Sequence, residues 1–130
     1  MKTIRLNKKI LYHCNDIQSE KENTKKIIDC IFLDILNENN KNEYDKSINK
    51  LSDYRHLKRT VSCPEGRYIM FIDMTDLENV KLHAGGFVMY DTGYSITLKL
   101  YDDRVMKFNR KNKELFVKFT DQELIADLIK

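Results

Sequence analysis

GGFVMYDTGYSITLKL, residues 85–100, decides how the second half of this chain folds. Tyr94, Ile96, Leu98 and Leu100 alternate with Ser95, Thr97, Lys99 and Tyr101. That is the period of a strand with one face in a core and one in water. An apolar run, 87–90, precedes it, and Asp91-Thr92-Gly93 stands between the two. Asp-x-Gly between two strands is a hairpin signal, because glycine supplies the positive φ the turn needs. The stretch therefore predicts an antiparallel hairpin, and Asp91 reads as a turn residue that Asn would replace without harm.

Outward from the hairpin, residues 105–110 and 115–119 read as two more strands, joined by Asp102-Asp103 and Lys111-Asn112-Lys113. Residues 68–74 form an apolar run broken only by Asp73, short enough for a buried strand. Thr120-Asp121-Gln122-Glu123 is a capping box that opens a terminal helix, with Leu124, Ile125, Leu128 and Ile129 on one side. Cys63-Pro64-Glu65-Gly66 interrupts the chain, and before it the period is helical. Ser19 and Glu22 suit a second capping box, followed to residue 36 by Ile27, Ile28, Ile31, Phe32, Ile35 and Leu36 at helical spacing. NENNKN, residues 37–42, reads as a polar break. A second helix is expected over 43–57, carried by Tyr44, Ile48, Leu51, Tyr54 and Leu57. Residues 3–12 alternate loosely and suggest a short strand. The expectation is a single α+β domain over 1–130. An N-terminal strand and a helical hairpin pack on an antiparallel meander of four to five strands, with a C-terminal helix.

Composition narrows the function classes. Charged residues make up 33% and apolar ones 42%, which is the balance of a globular chain. No run is apolar and long enough to cross a bilayer, and Lys8 and Lys9 interrupt the first apolar residues, so a cytoplasmic protein is expected. Cys14, Cys30 and Cys63 are an odd number without a C-x-x-C pair, which fits free thiols in a reducing compartment; Cys30, among apolar residues of the first helix, reads as core. The net charge is +3, with 13 basic against 10 acidic residues up to Gly66 and 10 against 10 after it, so neither half is a strongly basic module that would attract nucleic acid globally.

The chemistry-bearing residues do not assemble into a known signature. Asp91-Thr92-Gly93 is also the tripeptide of aspartic proteases, whose two carboxylates share one proton, so this chain would have to dimerise. Such an enzyme uses a glycine-rich flap after the tripeptide, and no glycine follows Gly93. A Cys–His nucleophile could draw on Cys63 with His56 or His83, or on His13-Cys14, but sequence alone joins none of them. The same atoms fit the paired spacing of a zinc site poorly. Gly85-Gly86 leads into a strand and lacks the Gly-Lys-Ser/Thr of a phosphate loop, which suits a bulge or bend. No catalytic residue, metal or cofactor is expected.

Two binding surfaces remain. Lys107, Arg110, Lys111, Lys113 and Lys118 gather on the last two strands with Phe108, Phe116 and Phe119 between them. Basic residues beside strand aromatics are what a single-stranded nucleic-acid surface over 104–118 requires. Tyr54-Arg55-His56-Leu57-Lys58-Arg59 adds a basic end to the second helix. On the wet face of the hairpin, Tyr90, Thr97, Lys99 and Tyr101 make a candidate protein interface, since tyrosine joins a large apolar body to a water-tolerant hydroxyl.

Gly85-Gly86-Phe87, Leu98-Lys99 and Leu115-Phe116-Val117-Lys118-Phe119 together give residues 81–119 a pattern. It resembles small uncharacterised proteins of large nucleocytoplasmic DNA viruses. The resemblance implies a viral, AT-rich source and brings no activity with it. The expectation is a non-catalytic interaction protein with a protein partner or self-association. It would act as a virion component or as a modulator of host or viral machinery, with nucleic-acid binding as the alternative.

Overall fold

The computed structural model describes residues 16–35 and 38–128. The expected strand over 3–12 lies outside them, as do Cys14 and Ile129. Two helices come first, α1 (Ile17–Phe32) and α2 (Glu38–Lys50). Six strands follow: β1 (Tyr54–Leu57), β2 (Tyr68–Asp73), β3 (Lys81–Asp91), β4 (Ser95–Lys99), β5 (Val105–Asn109) and β6 (Lys113–Lys118). A short helix, α3 (Asp121–Leu128), ends the described chain. The α+β architecture is as expected, with six strands in the sheet.

The first two helices start elsewhere than their sequence signals suggested. Asp16, not Ser19, caps α1, its carboxylate accepting from Ser19 N at 3.0 Å. Asp is as good a cap as Ser and stands one residue before the first buried apolar side chain, Ile17. Cys30 is exposed on the opposite side of α1 from the core. The expected break at 37–42 is mostly helix, because α2 already begins at Glu38. Asn40 there is buried and donates Nδ2 to Ile35 O at 2.7 Å, closing the turn after α1.

The sheet order is β1-β6-β2-β3-β4-β5, with every neighbour antiparallel. The expected meander holds from β3 to β5, with the expected buried strand β2 beside β3, but β6 does not extend it. It returns between β1 and β2. In a flat sheet β5 and β6 would lie four spacings apart, about 19 Å. They would also run in the same direction, so the end of one and the start of the other would fall at opposite ends of the sheet. Only residues 110–112 join them, and Asn109 to Lys113 spans at most about 14 Å of extended chain. The sheet therefore coils into a partly closed barrel, and the chain turns a corner at 110–112. Ring contact across the coil agrees: Phe71 of β2 and Phe108 of β5 have centroids 4.5 Å apart.

Coiling gives the sheet two cores. Leu57, Ile69, Phe71, Val88, Ile96, Leu98, Leu115 and Val117 fill the inside, together with Cys63 from the β1–β2 connection. Tyr54, Met70, Ile72, Leu82 and Phe116 face out against Ile28 and Phe32 of α1 and against Leu51. Successive residues of β6 alternate between the cores, Leu115 and Val117 inside and Phe116 outside, so this one strand serves both.

Gly85 and Gly86 lie within β3 and not at its start, at the register shift opposite Ile69 to Phe71. A Cβ on Gly85 would stand 2.0 Å from Ile69 O, and one on Gly86 would stand 2.5 Å from Lys99 O. The pair lets three backbones approach where the sheet bends.

Candidate functional site

The residues that looked chemical are built into the frame. Gly93 has φ +93°, and its N–H donates to Asp91 Oδ1 at 2.8 Å, so the tripeptide is a turn. Asp91 also does more than turn the chain. Its Oδ2 accepts from Cys63 N at 3.0 Å and from Arg110 Nη1 at 2.8 Å, with the two charged side chains 0% and 6% exposed. Arg110 donates onward to Val61 O and Lys58 O, at 3.1 and 3.3 Å. One carboxylate thus ties the β3–β4 hairpin, the corner before β6 and the β1–β2 connection together. The expectation that Asn could replace it without harm took no account of this buried ion pair.

Burial pushes the Cys63 thiol up to about 12, with Asp91 adding to it against the pull of nearby arginines. A thiol so hard to ionise is no nucleophile at neutral pH. His56 meets Glu114 instead of a thiol, Nε2 to Oε2 at 2.6 Å, and Arg59 reaches the other oxygen at 3.2 Å. Burial opposes ionisation of Glu114, but the hydrogen bonds and charges of His56 and Arg59 outweigh it and hold the carboxyl below its ordinary range. His83 is exposed and stacks on Phe71 at 5.0 Å. Arg67 and Glu123 form a second buried pair at 2.8 Å, and Arg67 also donates to Lys118 O. Among the described residues no group of His, Cys, Asp and Glu could hold a metal ion.

The capping box of α3 forms as expected, Glu123 N donating to Thr120 Oγ1 and Thr120 N to Glu123 Oε1. Of its apolar side, Ile125 and Leu128 are exposed and Leu124 is half-buried, while Glu123 is buried.

The expected nucleic-acid set is split up. Arg110 is the buried corner post, and Phe108 turns inward against Phe71. Phe116 and Phe119 are core. Lys113 is half-buried with Nζ 5.8 Å from the Phe108 ring, while Lys107, Lys111 and Lys118 are exposed. The basic run 54–59 is an edge strand and its turn, not a helix end, and Arg55, His56 and Arg59 are paired with acids. Tyr54 and Leu57, three residues apart, go to opposite cores and so mimic helical spacing.

The outer face beyond the helices is different in kind. Register places Phe87, Lys99 and Val105 in one row across β3, β4 and β5, and Tyr90, Thr97 and Lys107 in the next. Phe87 and Tyr90 are each 49% exposed and Val105 is 59% exposed. Tyr68 lies beside Phe87, edge to face at 5.2 Å. Of the candidate interface residues, Tyr90 and Lys99 belong to this face. Thr97 does not offer itself to a partner: shorter than its register neighbours Tyr90 and Lys107, it is buried, and its Oγ1 has no hydrogen-bond partner. Tyr101 is fully exposed but stands in the turn after β4, not on the strand. Phe87 and Val105 were missed because each sits in a run that also reads as core.

Comparison of the chain with protein-family models, curated proteins and solved structures gives no match. No helix among the described residues is long and apolar enough to cross a membrane.

Proposed function

We propose that this protein is a non-catalytic interaction module whose partner, another protein, docks on the outer face of β3, β4 and β5. The observation that carries the reading is the cross-strand patch itself. Phe87, Tyr90 and Val105 present large apolar surface where the helices stop, with Lys99 and Lys107 among them. Large apolar side chains gathered exposed on one face with polar neighbours mark a candidate docking surface. By contrast Asp91, Glu123 and Glu114 are all engaged in ion pairs that hold elements together. A virion component or a modulator of host or viral machinery is the setting suggested by the sequence resemblance.

Single-stranded nucleic acid is the second reading. It now rests on Lys107 sharing a face with Phe87 and Tyr90, not on the original basic set.

Photo-crosslinking in producing cells separates the readings. A crosslinker placed at Tyr90 should capture a defined protein that one placed at Lys41, exposed on α2, does not. The double change Phe87→Ser with Tyr90→Ser should abolish that product while costing no more than ~0.5 kcal/mol of stability per site, as surface substitutions do. Equal capture at both positions defeats the proposal. Capture of nucleic acid at Tyr90, with salt-sensitive binding to match, favours the second reading.

A further inference from the structure

The two edges of the sheet are finished differently. At β1 the Thr24 hydroxyl takes up two of the outward backbone groups, donating to Tyr54 O at 3.0 Å and accepting from His56 N at 3.1 Å. Edge strands left open invite pairing, and here α1 closes the edge. At β5 no such closure exists among the described residues. Leu100 N donates to Arg104 O and Arg110 N to Tyr94 O, which fixes the phase of the β4–β5 ladder. Met106 and Phe108 therefore bond to β4, and the amides and carbonyls of Val105 and Lys107 point away from it. Neither residue has a backbone partner on that side among the described residues. Their side chains belong to the exposed face just described.

We propose that the β5 edge accepts an extended, acidic segment of the partner protein as an added strand. This rests on the reading of the adjoining face as the docking surface and names what docks there. Charge decides the occupant. Asp103 and Asp102 near β5 are engaged by Lys99 and Arg104, whereas Lys107 has no acidic partner among the described residues. The register that pairs the whole of β5 with a second copy sets Lys107 directly against Lys107, and like charges in that position repel. The same lysine favours a strand that brings a carboxylate opposite it. An antiparallel strand would then present a polar residue opposite Asn109, an acidic one opposite Lys107 and an apolar one opposite Val105. The positions between them would be apolar, to meet Met106 and Phe108. Backbone bonds supply the affinity in this mode and alternate side chains the selectivity.

The test uses the full chain, labelled for NMR, and a synthetic peptide with Thr-Val-Glu-Val-Val at its centre. Hydrogen exchange at the amides of Val105 and Lys107 is the readout. The Glu peptide should slow exchange at both, and its counterpart with Lys in place of Glu should not. Lys107→Glu should reverse that preference. Val105→Pro removes an outward amide that the β4–β5 ladder does not use, so it should abolish binding with the fold retained. The proposal is overturned if neither peptide protects these amides, if both protect them equally, or if folded Val105→Pro still binds. Should the peptides fail while Phe87→Ser with Tyr90→Ser still abolishes crosslinking, strand addition falls and the docking face stands. A thymidine oligonucleotide that shifts Phe87 and Tyr90 signals, where the peptides do not, transfers the face to nucleic acid.

Discussion

Arg110 Nη1 meets Asp91 Oδ2 at 2.8 Å with both side chains out of water, so the corner of the barrel hangs on the carboxylate that shapes the hairpin. Asp91→Asn keeps the oxygen that accepts from Gly93 but strips Arg110 of its counter-charge. Leaving a buried charge unpaired costs about 3–5 kcal/mol, and replacing both partners by apolar residues costs far less. Urea unfolding should therefore show Asp91→Asn severely destabilised and Asp91→Leu with Arg110→Met closer to wild type. A wild-type midpoint for Asp91→Asn would mean the pair holds nothing.

Thr24→Val keeps the volume of a buried side chain and removes the hydroxyl that bonds Tyr54 O and His56 N. The loss should be about 1–3 kcal/mol, the cost of leaving such groups unsatisfied. Amide exchange at His56 should accelerate more than at Val117 in the sheet centre. Uniform acceleration would mean global destabilisation and not a loosened edge.

Glu114 makes stability depend on acid. Its carboxyl is held below the ordinary value of about 4.5 by His56 and Arg59, so the unfolded state binds the proton more readily than the folded one. The stabilisation is present above about pH 4.5 and fades as pH falls through the lower folded value. Glu114→Gln should reduce stability at neutral pH and flatten the fall of stability below about pH 4.5, followed by chemical denaturation at a series of pH values. An unchanged slope in acid would assign the fall to other carboxylates.

Gly85→Ala puts a Cβ 2.0 Å from a backbone carbonyl that no rotamer change can move. Overpacking of this rigid kind should exceed ~3 kcal/mol, at the upper end of its usual range. Gly66→Ala, with open space around it but a φ of +85°, should cost less. Thermal melts of the two variants give the comparison, and equal losses would show that strain, not contact, governs both.

The local signals were legible where one physical effect acted alone. Alternation from Tyr94 to Leu100 and the Asp-x-Gly turn gave the β3–β4 hairpin, and Thr120 with Glu123 gave the start of α3. Signals that mixed two surfaces misled. β1 was read as helix because its buried residues sit at both ends and on opposite sides. Arg110 was read as a nucleic-acid contact because nothing in its neighbourhood of sequence shows that Asp91, nineteen positions away, would take its charge. The return of β6 between β1 and β2 was not legible at all, since a three-residue connection usually joins adjacent strands and here turns a corner.

That return has a consequence for how the protein is made. Among the described residues β1 finds its ladder partner only in β6, and Leu115, Phe116 and Val117 of β6 supply both cores. A chain emerging from the ribosome N-terminus first therefore displays α1, α2 and the exposed strands of the meander with nothing to close them. Assembly waits for β6, the last strand of this sheet to be translated, and contacts of such long range also form slowly. A product cut short before β6 leaves exposed the apolar surfaces of both cores that Leu115, Phe116 and Val117 would cover.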